Sequence, residues 1–163
     1  KYALDIIQEL DSFPNRGSIL ELGCGIGDII GKVQYKNKYF FDISMNALNA
    51  AKFLQKITFK RSNNFYKVFD FLNASIDQNI QLDAVLLVNW IHGIESKLVY
   101  NRLIELINNN LKEGGVIIFD VIEDNSKYSF NHSIDSIIDS YKFNIKVIDG
   151  YRFGRKLIFA TLK

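Results

Sequence analysis

Ala84-Val-Leu-Leu-Val88 is a run of five apolar residues with no polar residue on either side of the pleat. Successive side chains of a strand point to opposite faces, so a strand wet on one side alternates. An unalternating run needs cover on both faces, the situation of a central strand in a parallel sheet between two helical layers. The run is far below the ~18–20 apolar residues that span a bilayer, as is the second such run at 116–119, so no membrane span is expected.

Strand-like and helix-like stretches alternate along the chain. Residues 2–10 read as an amphipathic helix, with Leu4, Ile7 and Leu10 on one face beside Ile6, before Pro14 and Gly17 break it. Strands follow at 18–22, 39–41 (ending on Asp42), 65–69 (ending on Asp70), 84–88 and 116–121. Helices are expected at 28–34, from a Ser44 cap to Lys56 with Ala47, Leu48, Ala51 and Leu54 inward, at 96–110 with Val99, Leu103, Leu106 and Ile107 inward, and near 133–141. Gly114-Gly115 reads as the left-handed stop of the 96–110 helix. The last two strands, 143–148 and 156–162, are too close for a helical crossover and form a hairpin whose final strand is antiparallel. The expected architecture is a doubly wound α/β sheet of seven strands, mostly parallel, with helices on both faces. No repeat or linker divides it, so residues 1–163 form one domain.

Composition narrows the function. A chain of 163 residues, 48% hydrophobic with one proline, can bury a real core and is not disordered. One cysteine and two histidines build neither a disulfide nor a Cys/His zinc site, so no metal is expected. A net charge of +2 argues against a dedicated nucleic-acid binder; the nearest basic group, Lys56, Lys60, Arg61 and Lys67, reads as a solvated edge. No signal-peptide pattern opens the chain, which points to a cytoplasmic protein, and the Ile, Asn and Lys usage to an AT-rich, bacterial genome.

In an open α/β sheet the ligand lies outside the carboxyl ends of the strands. The first such end here is Glu21-Leu-Gly-Cys-Gly-Ile-Gly27. A dinucleotide fingerprint has a third glycine three residues after the second. From Gly23 that position is Asp28 and from Gly25 it is Ile30, so both registers fail. An aspartate where a pyrophosphate needs a helix N-terminus has the wrong charge. A cationic or zwitterionic ligand fits better.

These residues resemble the class I S-adenosylmethionine-dependent methyltransferases of small-molecule type, over nearly the whole chain. Glu21-Leu-Gly-Cys-Gly-Ile-Gly27 is similar to the family's first motif, in which Gly23, Cys24, Gly25 and Gly27 lie against the amino-acid half of the cofactor and Glu21 fixes the loop. The resemblance implies that Asp42 accepts hydrogen bonds from both ribose hydroxyls, and that Ile43 and Met45 pack on the adenine. It implies that Asp70 receives the adenine amino group beside Phe71, and that Asn89 sits near the methionine part. Residues 82–92 and 111–119 resemble the fourth and fifth motifs, and the closing hairpin separates this fold from dinucleotide-binding ones.

Subclasses fall away on particular residues. The segment Asn89-Trp-Ile-His92 lacks the prolines of exocyclic-amine methylases, Cys24 is misplaced for pyrimidine C5 chemistry, and Glu95 alone does not make the glutamate pair of arginine methylases. What the resemblance then implies is methyl transfer to a small molecule, or a polymer-linked small group, with oxygen preferred over nitrogen. Two other readings stay open: a catalytically silent S-adenosylmethionine-binding module, or an RNA or protein methyltransferase with a partner subunit. His92 is the candidate base, since imidazole titrates near neutral pH; orienting the loop or the cofactor is its other role. Cys24 reads as a loop filler, and Trp90 as core or pocket wall. Tyr128, Phe130 and His132 after the fifth strand, and Tyr151, Arg152 and Arg155 in the hairpin, face the substrate side or serve ordinary loop packing. With no elaborated lid, the pocket is open, or closed by residues before Lys1 or by the second subunit of a homodimer.

Overall fold

The structure, a computed structural model, describes residues 1–57, 62–122 and 128–163. Lys60 and Arg61 of the basic group, and 123–127 of the polar stretch after the fifth strand, lie outside the described residues. The strands are β1 (Ser18–Leu22), β2 (Asn37–Asp42), β3 (Asn63–Val68), β4 (Leu82–Leu87), β5 (Leu111–Ile122), β6 (Phe143–Ile148) and β7 (Arg155–Leu162). They form one seven-stranded sheet in the order β3-β2-β1-β4-β5-β7-β6. The first five are parallel, and β7 runs antiparallel to both β5 and β6.

Every residue of β1 and β4 is buried, as the unalternating sequence requires. Their side chains divide between two cores. Leu20, Leu22, Val85 and Leu87 pack with Val99, Leu103, Leu106 and Ile107 of α3 (Ser96–Asn110) on one face. Ile19, Ala84 and Leu86 pack on the other with Ile6 and Leu10 of α1 (Tyr2–Ser12) and Leu48 and Ala51 of α2 (Met45–Ile57). Ser44 caps α2, its hydroxyl accepting the Ala47 amide at 3.3 Å.

Four local expectations are corrected. Residues 28–34 form turns instead of a helix: the Gly31 amide donates to the Gly27 carbonyl at 3.0 Å and the Lys32 amide to that of Ile29 at 2.9 Å, while the Glu21 carboxyl takes the Ile30 amide at 3.1 Å, one of the first-turn donors that a helix leaves free. Helix α3 does not stop on glycine: Leu111 is already extended at φ −84°, ψ 127° and begins β5. Gly114, at φ +70°, serves a bulge where the pairing jumps from Leu82–Leu111 to Ala84–Val116. The helix expected near 133–141 shrinks to α4 (Ile134–Ile137), closed by a Ser133–Ser136 capping box. Leu4 is 60% exposed, so the inner face of α1 is carried by Ile6 and Leu10.

Candidate active site at the carboxyl ends of the strands

The strand order reverses between β1 and β4, and the loops after them meet there. The Gly23 and Cys24 amides both donate to the Phe41 carbonyl, at 2.8 and 3.1 Å, which ties the loop to the end of β2. Gly23 has φ +68°, and a β-carbon there would lie 2.6 Å from Trp90 Nε1, whose N–H donates to the Leu22 carbonyl at 2.7 Å. The indole thus lies over the glycine backbone, and Trp90 fits both readings: it packs against the core, and with Gly23, Asp42, Ile43, Asp70, Phe71 and others it lines a cleft of about 360 Å³. That volume lies within the ~300–1,000 Å³ of small-molecule sites.

The other loop residues divide by role. Gly27 is buried, and a β-carbon there would meet the Phe40 ring at 2.7 Å, so it serves the packing of the loop on β2. Cys24 is buried, its thiol pushed up by burial and by the nearby Glu21 and Asp42, which is the opposite of an activated nucleophile. Asp42 accepts the Gly25 amide on one oxygen and the Ser44 amide on the other, both at 2.8 Å. A carboxylate has about four lone-pair directions, so acceptor capacity remains toward the cleft. Ile43 and Met45 are 70% and 57% exposed beside it, an apolar surface for a flat ring. Asp70 accepts from Asn73 Nδ2 and the Leu72 amide, and these bonds hold its carboxyl below the usual range.

Glu21 is buried beneath the loop, and burial pushes its carboxyl up to about 8. The folded protein therefore holds a proton that the unfolded chain, near its ordinary 4.5, has released. Stability is expected to fall as pH rises between these values, by up to about 1.4 kcal/mol per pH unit from this group. Glu21→Gln keeps an acceptor for Ile30 and removes the titration. Urea unfolding at pH 5 and pH 8 is expected to show a smaller loss for the variant; parallel losses contradict the assignment.

Beside the cleft lies a cluster organised by Asp120, which the sequence reading did not single out. Asp120 is fully buried and accepts the Asn89 amide at 2.8 Å, His92 Nε2 at 3.0 Å and the Arg155 guanidinium at 2.6 Å. Its signal was visible: a carboxylate inside the apolar run of β5 needs buried donors. The antiparallel β7 starts at this end of the sheet, which is how Arg155 reaches residues at the ends of β4 and β5. Arg155 also donates to Asn89 Oδ1 and to the Tyr128 hydroxyl, and lies 5.4 Å over the Tyr2 ring. Asn89 takes φ +75°, an uncommon conformation for a residue with a β-carbon, held by these bonds.

His92 is 1% exposed, stacks on His132 at 5.5 Å and lines neither the cleft nor the neighbouring concavity. His132 is fixed by Ser96 and the Ile91 carbonyl, and Phe130 bonds the His92 carbonyl through its amide. That concavity, about 460 Å³, is lined by Lys1, Tyr2, Asn89, Tyr151, Arg152 and Arg155 among others.

The strand order, the antiparallel β7 and a glycine loop set against two strand-end aspartates define a class I S-adenosylmethionine-dependent methyltransferase fold. A family model described as a methyltransferase domain matches residues 1–142, and the chain belongs to that family. In structure it is similar to the N-methyltransferase NodS from Bradyrhizobium japonicum WM9, with a TM-score of 0.79 at 16% identity over 99% of this chain and 94% of that one. It is similar to the magnesium protoporphyrin IX methyltransferase ChlM from Synechocystis PCC 6803 with bound S-adenosylmethionine (0.76, 15%, 99% and 78%). A third likeness is to an S-adenosylmethionine-dependent methyltransferase from Clostridium acetobutylicum ATCC 824 (0.73, 17%, 99% and 90%). Comparison of the sequence with curated proteins finds no match. No described helix is long and apolar enough to cross a membrane.

Proposed function

We propose that the protein methylates a small molecule, with oxygen preferred over nitrogen as the acceptor atom. The observation that carries this is adjacency: Trp90 walls the cofactor cleft, and its chain neighbour Asn89 lines the open concavity beside it. When bound, S-adenosylmethionine supplies a sulfonium methyl; the C–S bond breaks as the bond to the acceptor forms, leaving S-adenosylhomocysteine and releasing a proton.

The residues present fit that cofactor. Asp42 and Asp70 offer carboxylates to ribose hydroxyls and an adenine amine, Ile43 and Phe71 offer apolar surface, and bare backbone at Gly25, with open space where a β-carbon would stand, allows close approach. Glu21 sets the loop from below, Gly27 and Cys24 fill it, and Asn89 stands at the methionine end. Alignment of donor and acceptor supplies much of the catalysis in such a site, up to ~7–11 kcal/mol in favourable cases. The buried ring of His92, held on Asp120, supports its orienting role, so we assign it as a positioning residue. Lys1 and Arg152 at the concavity, with Arg155 already paired to Asp120, favour an oxyanion over a protonated amine, the basis for the oxygen preference.

A screen of phenols, carboxylic acids and amines with methyl-labelled S-adenosylmethionine tests the reading. Label is expected in an oxygen acceptor. Label confined to amines overturns the oxygen preference, and cofactor binding without turnover on any acceptor identifies a silent binding module.

A further inference from the structure

The hydrogen-bond accounts of the concavity leave an asymmetry. Asn89 Oδ1 is taken by Arg155, Arg155 is shared among Asp120, Asn89 and Tyr128, and the Tyr151 hydroxyl donates to Asp5 at 2.6 Å. Two donors are left over. The Arg152 guanidinium is exposed and has no ion-pair or hydrogen-bond partner among the described residues. The Tyr2 hydroxyl is buried beside Arg155, which can only donate to it, so its own O–H has no acceptor; burial together with Asp120 pushes the phenol up, keeping it a neutral donor.

Among the described residues no carboxylate lines this concavity, while Lys1 adds a positive charge 6.0 Å over the Tyr151 ring. The hairpin tip is shaped toward it. Phe153 sits at φ +64°, a strained conformation for an aromatic residue, and is 54% exposed. Tyr2 and Tyr151 meet edge to face at 5.1 Å, so the remaining wall is aromatic. A pocket with spare donors, excess positive charge and aromatic walls suits an apolar, flat body that carries an anion.

Resting on the methyltransferase reading above, we infer that the acceptor is an aromatic acid whose carboxylate or phosphate docks on Arg152, with the Tyr2 phenol as second donor. This goes beyond the class of reaction: it makes the β6–β7 hairpin the specificity element for acidic acceptors.

The test is calorimetric titration of protein saturated with S-adenosylhomocysteine, using 2-naphthoate, 2-naphthyl phosphate and neutral 2-naphthamide. An acid is expected to bind at least about tenfold tighter than the amide, since charge-assisted bonds to arginine are the strong ones. Which acid binds tighter shows whether the anion is carboxylate or phosphate. Arg152→Gln is expected to remove that advantage and to leave the affinities for the amide and for S-adenosylhomocysteine at wild-type values, which also shows that the variant is folded. Tyr2→Phe is expected to weaken the acid and spare the amide. Equal binding of acid and amide, no binding of either, or an acid preference that survives Arg152→Gln overturns the inference. If S-adenosylhomocysteine itself fails to bind, the cofactor reading has failed, and this inference falls with it.

Discussion

Replacing Asp120 by alanine is expected to destabilise the protein by about 3–5 kcal/mol, the usual result of removing one partner from a buried ion pair. One carboxylate at 0% exposure accepts from Asn89, His92 and Arg155, so its loss leaves the buried His92 Nε2 without an acceptor and the Arg155 guanidinium without its counter-charge. The Arg155 side chain is itself only 13% exposed and cannot turn fully to water. For a domain of this size each kcal/mol shifts the melting point by roughly 2–4 °C, so a drop on the order of 10 °C is expected. Asp120→Asn keeps the shape and loses the charge, and is expected to fall between the two. The turn after β4 carries Trp90 into the cofactor cleft, so S-adenosylmethionine affinity is expected to weaken in parallel. A melting point for Asp120→Ala within 2 °C of wild type contradicts the organising role.

Asp42→Ala is expected to weaken S-adenosylmethionine binding at least about tenfold, because it strips a charged acceptor from two hydroxyls. Its two present bonds, to the Gly25 and Ser44 amides, also shape the loop and the start of α2. Those amides lie near solvent and find water, so the melting point is expected to change by only a few degrees. Calorimetry on Asp42→Ala checks both at once, since affinity and folding are read on the same sample. An unchanged affinity removes Asp42 from the cofactor site.

Much of this architecture is legible in the sequence, where one local signal suffices. The unalternating 84–88 run places β4 at the centre, and the closeness of the last two strands dictates a hairpin. Strand-end aspartates 42 and 70 sit where a doubly wound sheet puts its ligands, and both line the cleft. What escapes is set by contacts between distant residues. The segment 28–34 has helical composition, but its amides bond in turn pattern, Lys32 to Ile29, and on the Glu21 carboxyl that the fold brings beneath Ile30. That missing helix also removes the N-terminus on which a dinucleotide pyrophosphate sits. Gly114 reads as a helix stop until the register of β4 against β5 reveals a bulge. Asp120 shows a signal, a charge in an apolar strand, but its partners lie 28 to 35 residues away along the chain. His92 is prominent as a base by residue type alone; its burial on Asp120 is a product of packing.

In the proposed function, the cleft between Gly23, Asp42 and Asp70 takes S-adenosylmethionine. Parallel calorimetric titrations with S-adenosylmethionine, S-adenosylhomocysteine and NAD test this. Binding of the first two in the micromolar range, with none for NAD, is the predicted result, since Asp28 and the turn after it offer a pyrophosphate no helix N-terminus. Binding of NAD, or silence from both S-adenosyl compounds, contradicts the account.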